Sequence, residues 1–133
     1  MSDQPQRRFT VLEANRTIPS LEQRLARIEE LLQSLAGSAP AAADYRRGVS
    51  PDGGRLVPPS YLQGIEEVLA EQGRLEQRGI IVRDVRRGLV DFPAMLDGQE
   101  VYLCWLRGEE RVGYYHEPGT GFAGRQPLPP DAE

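Results

Sequence analysis

In the first third of the chain the apolar residues Ile18, Leu21, Leu25, Ile28, Leu32 and Leu35 recur in steps of three and four. That is an a/d seam, the pattern of a helix packed lengthwise on another helix. Thr10 and Glu13 stand just ahead of it as a capping box, each side chain answering the other's backbone donor. Helix one is therefore expected over residues 10–36. Pro19 lies inside this run, removes the bond to the carbonyl of Asn15 and predicts a kink, or else a fresh helix start capped by Ser20. Tyr61, Ile65, Val68, Gln72 and Leu75 repeat the spacing, widened by Leu62 and Leu69, behind a second capping box at Ser60 and Gln63. Gly64 and Gly73 each cost about 1 kcal/mol of helix propensity relative to Ala, which close approach of another backbone would compensate. Gly79 closes helix two, residues 60–78, as a C′ residue. Between the helices, residues 37–59 are rich in Gly, Pro, Ala and Ser and read as a flexible loop, in which Ala41 to Arg47 can add a helical turn or two.

Past Gly79 the period changes to two. Ile80 to Val85, Leu89 to Leu96, Gln99 to Leu106 and Arg111 to His116 read as strands of an antiparallel β-meander over residues 80–116. Pro93 favours an edge position or a bulge. Asp97-Gly98 signals a type I′ hairpin turn, which sets Leu96 opposite Gln99 and Ala94 opposite Val101. A second tight turn centred on Gly108-Glu109 sets Leu103 opposite Tyr114. Side chains alternate across a strand. One face then collects Val90, Phe92, Val101, Leu103, Trp105, Val112, Tyr114 and His116, and faces the helices. The other collects Leu89, Asp91, Met95, Tyr102, Cys104, Leu106 and Tyr115. It is apolar enough to need a cover, supplied by the tail, by a partner or as the wall of a pocket. Residues 117–133 form a Gly/Pro-rich tail. The expected architecture is α+β: a kinked antiparallel helical hairpin, coiled-coil-like, followed by a small antiparallel β-meander, in one domain spanning 1–133.

Composition narrows the function classes. The formal net charge of −4 argues against nucleic acid as a partner. All 16 basic residues are arginine, a preference spread too evenly to mark a site. The basic stretch Arg74 to Arg87 lacks the interleaved aromatics of a stacking platform and reads as a solvated surface. One cysteine makes no internal disulfide, no apolar run is long enough for a bilayer, and the first residues have no apolar region behind their charges. A cytoplasmic location without membrane attachment is the expectation.

The only Cys, Trp and His of the chain fall within residues 101–116. Cys104 and His116 are zinc-ligand types, but the expected register puts them on opposite faces and no CxxC or HxxxH spacing completes a set, so no metal is expected. The expected pairing of Cys104 with Asp91 disfavours a thiolate, because an adjacent carboxylate opposes the charge. His116 has the chemistry of a general acid or base with Glu117 or Asp91 as orienter, set against a histidine that merely holds the next loop. Gly119 to Gly124 matches GxGxxG but has no following helix, so it is a glycine-permitted turn that folds Phe122 back as an anchor and fixes Arg125. No serine stands in a nucleophile elbow and no cofactor is implied.

Phe9-Thr10-x-x-Glu13-Ala14-Asn15, Gly88-Leu89-Val90-Asp91-Phe92-Pro93, Val101-Tyr102-Leu103-Cys104-Trp105, Tyr115-His116-Glu117 and Gly121-Phe122-Ala123-Gly124-Arg125 together resemble the domain of unknown function 2203 family, small and mainly bacterial proteins. The likeness spans nearly the whole chain, and departs where the family has Trp and this chain has Tyr115. It implies no activity, cofactor or catalytic residue. The first expectation for function is a protein-interaction or scaffold module acting as a homodimer, with Met95, Cys104, Leu106 and Tyr115 as interface candidates and an unidentified protein as a further possible partner. The alternative is a small-molecule or anion-binding protein, conceivably an enzyme though the balance leans against one. Its site would use Asp91, Tyr102, His116, Glu117 and Arg125.

Overall fold

A computed structural model describes residues 7–47 and 58–133, with side chains over 7–37 and 58–133. Two helices, α1 (Val11–Arg47) and α2 (Pro59–Gln77), precede five strands. These are β1 (Ile81–Asp84), β2 (Leu89–Leu96), β3 (Gln99–Leu106), β4 (Tyr114–His116) and β5 (Gln126–Pro127), which pair as an antiparallel meander in the order β1-β2-β3-β4-β5. The class is α+β.

The capping box starts α1. The Thr10 amide donates to Glu13 Oε1 at 2.8 Å and the Glu13 amide donates to Thr10 Oγ1 at 3.0 Å. The helix then runs unbroken through Pro19. Ser20 is no fresh cap, since its hydroxyl donates back to the Thr17 carbonyl at 3.1 Å, as Thr17 does to Ala14 at 2.7 Å. Tertiary packing holds the helix where propensity would break it, for Leu21, Leu25 and Ile28 on this stretch are buried. Beyond the expected end at residue 36, α1 continues through Gly37 to Arg47, and the turn at Ser50 to Gly54 lies outside the described residues.

Helix α2 does not use the Ser60–Gln63 box. Pro58 occupies the N-cap without a side-chain cap, and Pro59 takes the first turn, where a missing N–H costs nothing. Contacts step in opposite directions along the two helices, so they run antiparallel. Arg24 meets Glu71 at 3.0 Å, Arg27 meets Glu67 at 3.3 Å, and Leu35 lies where a Cβ on Gly64 would be 2.7 Å away. The compensation expected for Gly64 is thus a side chain, not a backbone. At the C-terminus Gly79 has φ +90°, its amide donates to Glu76 and the Ile80 amide donates to Leu75. This is a Schellman closure, with the buried Leu75 and Ile80 as its apolar contact.

Strands β2 and β3 pair as expected. Asp97 and Gly98 both have positive φ, as a type I′ turn requires, and Leu96 faces Gln99. Pro93 sits where β1 has already ended, so it leaves no β1 acceptor empty, and its carbonyl accepts from the Phe9 amide at 2.7 Å. The inner face packs Val90, Phe92, Leu103 and Trp105 against α1, with Phe9 edge-on to Phe92 at 5.1 Å.

The β3–β4 connection differs from expectation and changes the site. Residues 107–113 form an irregular loop in place of a two-residue turn. Glu109 folds back on β3: its carbonyl accepts from Trp105 Nε1 at 3.0 Å and its carboxylate accepts from the Leu106 amide at 2.8 Å. The Val112 amide is taken out of the ladder by Asn15 Oδ1 of α1 at 2.8 Å. Pairing resumes with Leu103 opposite Tyr115, one residue away from the expected Tyr114. A slip of one residue exchanges the faces. Tyr115 therefore packs toward the core, and Tyr114 and His116 turn outward beside Cys104 and Asp91.

Candidate functional site

The outer face of the sheet carries the polar chemistry. Asp91 lies on the inner strand β2, directly opposite Cys104 on β3, while His116 on β4 lies opposite Tyr102 on β3. Ladder geometry alone keeps β2 and β4 roughly 10 Å apart. The Asp91 and His116 side chains close that gap across β3, Nε2 to Oδ2 at 2.8 Å. Both are almost fully buried, at 2% and 3% exposure.

Arg83 completes the group. Between Val82 and Asp84, β1 gains one residue on β2, a bulge that re-aims the Arg83 side chain across Asp91. Its Nε donates to the same Asp91 Oδ2 at 2.8 Å, and its guanidinium lies 5.0 Å from the Tyr102 ring centre. Burial lowers the Arg83 pKa, but the hydrogen bond and charge of Asp91, helped by Tyr102, outweigh it and hold the group above its ordinary value. Tyr102 in turn packs on His116 with ring centres 5.5 Å apart.

The hydrogen-bond partners count the protons. Nδ1 of His116 contacts the Glu117 carbonyl at 2.9 Å, an acceptor only, so Nδ1 carries a hydrogen. One further proton lies in the Nε2–Oδ2 contact. The His116–Asp91 pair is then neutral wherever that proton sits, and with Arg83 the trio carries one positive charge. Asp91 Oδ2 is shared by two donors, whereas Oδ1 has no partner among the described residues. No buried side-chain nitrogen or oxygen among the described residues lacks a partner, so Oδ1 is an atom that solvent reaches.

Asp91 lines a cavity of about 310 Å³, together with Arg83, Cys104 and His116 on the sheet side and Gly119, Gly121 and Phe122 of the tail. The tail folds back over the sheet and is fastened at both ends. Glu117 holds the near end through its carbonyl, which also accepts from Thr120 Oγ1 at 3.0 Å. Arg125 holds the far end by a fork onto Glu109 at 3.2 and 2.7 Å, lying 4.0 Å from the Tyr114 ring centre and 4.4 Å from that of Phe122. Burial opposes the Arg125 charge, and Glu109 and Cys104 more than restore it, so its pKa is raised.

Cys104 lies beneath Arg125, whose Nη1 approaches Sγ at 3.8 Å. Burial first, then the charges of Asp91 and Glu109, push the thiol up to about 11 against the opposing pull of Arg125. At neutral pH the sulfur is a protonated wall atom rather than a nucleophile.

Of the residues expected to form a site, Asp91, Tyr102 and His116 converge. Arg125 belongs to the same face but contacts Cys104, Glu109 and the aromatic rings. Glu117 contributes its carbonyl, and its side chain is exposed. The argument that separated Cys104 from His116 by strand parity is overturned by the observed register, since both line one cavity. Among the described residues, no three His, Cys, Asp or Glu side chains gather as a metal would need. Of the interface candidates, Cys104 is sealed under Arg125 and Tyr115 faces the core, so neither is presented outward, while Met95 is 44% exposed and Leu106 half-buried. Arg83 and Glu109 were missed. Alternation allows Arg83 the outer face, but a bulge leaves no mark in composition, and Glu109 reads as an ordinary turn residue.

Residues 7–128 match the family described as Uncharacterized conserved protein (DUF2203). The chain belongs to that family. No curated protein and no solved structure matches it. Among the described residues no helix is long and apolar enough to cross a membrane.

The state of Cys104 has a measurable consequence. In the unfolded chain the thiol ionises near an ordinary 9.0, in the fold only near about 11. Between these values the unfolded state has lost a proton that the folded state keeps, so the Cys104 contribution to stability is complete below pH 9.0 and disappears as pH rises to about 11. Thermal melts of the natural protein and Cys104→Ala across that window are expected to converge as pH rises. A constant gap, or alkylation of the native thiol by iodoacetamide at neutral pH at the rate of a free cysteine, contradicts this environment.

Proposed function

We propose that this DUF2203 protein binds a small molecule in the cavity between the outer face of the sheet and the tail. One observation carries the reading: a buried aspartate whose carboxylate is held rigid by Arg83 and His116 lines that cavity, with only one of its two oxygens, Oδ2, taken by these partners. A buried charge is favourable only when its remaining lone pairs are satisfied, by solvent or by a ligand, and the second carboxylate oxygen is left for one of these. A ligand donor would satisfy it. Binding rather than catalysis is the role these groups support. Both ring nitrogens of His116 are engaged and the Cys104 thiol is protonated, so neither a free general base nor a thiolate stands ready.

The test uses small molecules filtered from a cell extract, with the full-length protein as bait. Retention of a discrete compound, seen by native mass spectrometry, is expected for the natural protein and not for Asp91→Asn, which keeps the shape but presents a different edge to the cavity. Equal retention, or none, by both proteins removes the reading.

A second reading, a self-associating module using heptad-spaced helices in a coiled-coil manner, is favoured by a separate observation. Leu62 and Leu69, two turns apart on α2, are 41% and 60% exposed. A homodimer along this face would cover them, and Leu62→Glu with Leu69→Glu would convert it to monomer in multi-angle light scattering. A natural protein that is monomeric at high concentration ends this second reading and leaves the first untouched.

A further inference from the structure

The charges around the cavity indicate the class of molecule it takes. The charged lining residues are Arg83, Asp91 and His116, and the proton count above gives them a sum of one positive charge. The other ionic pair at this face, Arg125 with Glu109, is internally neutral. Asp84, at the head of the β1–β2 turn, accepts the Arg86 and Arg87 backbone amides on one carboxylate oxygen, Oδ1. Glu117 is exposed to solvent, where its charge is well screened. One more cation stands nearby: the Arg87 guanidinium lies 5.0 Å from the centre of the Phe122 ring that walls the cavity, and among the described residues it has no carboxylate partner. A positive lining with a further guanidinium beside it, that of Arg87, is thus set into a chain of net charge −4.

Geometry agrees with charge. Arg83 commits only Nε to Asp91 and has a further side-chain hydrogen bond with Tyr102, so among the described residues the terminal nitrogens of its fork have no carboxylate of their own. A guanidinium pairs through its terminal donors with the planar edge of a carboxylate or with two phosphate oxygens. Asp91 Oδ1 accepts but cannot donate while ionised, so it selects a hydroxyl or amide N–H. Phe122 and Leu89 supply apolar surface in the same lining.

We propose that the cavity takes a small organic oxyanion, its carboxylate or phosphate group against Arg83 with Arg87 as the second cation, and a neutral hydrogen-bond donor of the same molecule against Asp91. This rests on the binding role proposed above and adds the chemical class of the ligand. Arg83 and Arg87 are specificity residues in it, whereas Arg125 keeps the tail in place.

The test is a titration of the ¹⁵N-labelled full chain with sodium phosphate, sodium acetate and ethylammonium chloride in turn, at one ionic strength held with sodium chloride. At least one of the two anions is expected to shift the amides of Gly119, Gly121 and Phe122 saturably, and ethylammonium is expected to leave them in place. Which anion saturates first distinguishes a tetrahedral from a planar group. Arg83→Gln should weaken the effect by about tenfold or more, as loss of a charged hydrogen bond does. Arg87→Gln, a change on the surface that leaves the Asp91 ion pair intact, should weaken it by a smaller factor. Saturable shifts from ethylammonium alone would overturn the anion class while leaving a binding cavity. Silence from all three probes also overturns the class, and retention of a compound by the natural protein in the mass-spectrometric experiment then decides separately whether the cavity binds at all. Anion shifts unchanged in both arginine variants would place the anion elsewhere and overturn the assignment.

Discussion

The contact between Asp91 and His116 exists because the β3–β4 connection is irregular. A two-residue turn at Gly108-Glu109 would point His116 into the core and leave Asp91 with Arg83 alone. Residues 107–113 instead carry the chain through a longer path, and Glu109 is the residue that makes this path specific. It accepts from the indole of Trp105 and the amide of Leu106, and its carboxylate also receives the fork of Arg125. One side chain therefore couples three things: the end of β3, the register of β4 and the return of the tail. Asn15 of α1 secures the far side of the same loop through Val112. Polar groups held in a water-poor setting are costly to leave unpaired, so each of these bonds narrows the alternatives for the loop.

The tail has a different status from the strands it covers. It contributes only the short β5 and a single turn at Phe122–Gly124, and its order comes from side chains. Arg125 is gripped by Glu109 and two aromatic rings, and Phe122 by two guanidinium groups. Forked guanidinium–carboxylate pairs with aromatic stacking are the surface ion pairs best placed to contribute, because their geometry is preorganised. Between its two fastened ends the tail passes over the Asp91 carboxylate without filling the space beneath, and that is what turns a covered sheet face into a cavity.

Where local rules decide, the sequence was legible to the residue. The capping box of α1, the Gly79 closure, the limits of β2 and β3 and the Asp97-Gly98 turn each depend on a few neighbours with one strong preference. The return of Phe122 and the fixing of Arg125 were also readable from the glycines around them. The failures have long-range causes. A fresh helix start at Ser20 was one expectation for Pro19, yet packing of Leu21, Leu25 and Ile28 carries the helix through it. Ser60 looked like a cap, but Pro58 and Pro59 had already started the helix. The parity of β4 depended on Asn15, 97 positions away, and on Arg125, 16 positions beyond Glu109. Hydrophobic alternation over three residues cannot weigh such partners. The chemistry of Asp91, Tyr102 and His116 groups them into one site, while the expected register sends His116 to the other face, and the observed slip of β4 removes that conflict.

The central claim is that His116 is held on the outer face, with Nδ1 donating to Glu117 and Nε2 joined to Asp91. Long-range ¹H–¹⁵N correlation of the His116 ring measures this most directly. A protected, slowly exchanging proton on Nδ1, and a change centred on Nε2 in Asp91→Asn, are the predicted result. A ring with one nitrogen in rapid exchange with solvent, or one whose signals ignore the Asp91 substitution, would contradict it.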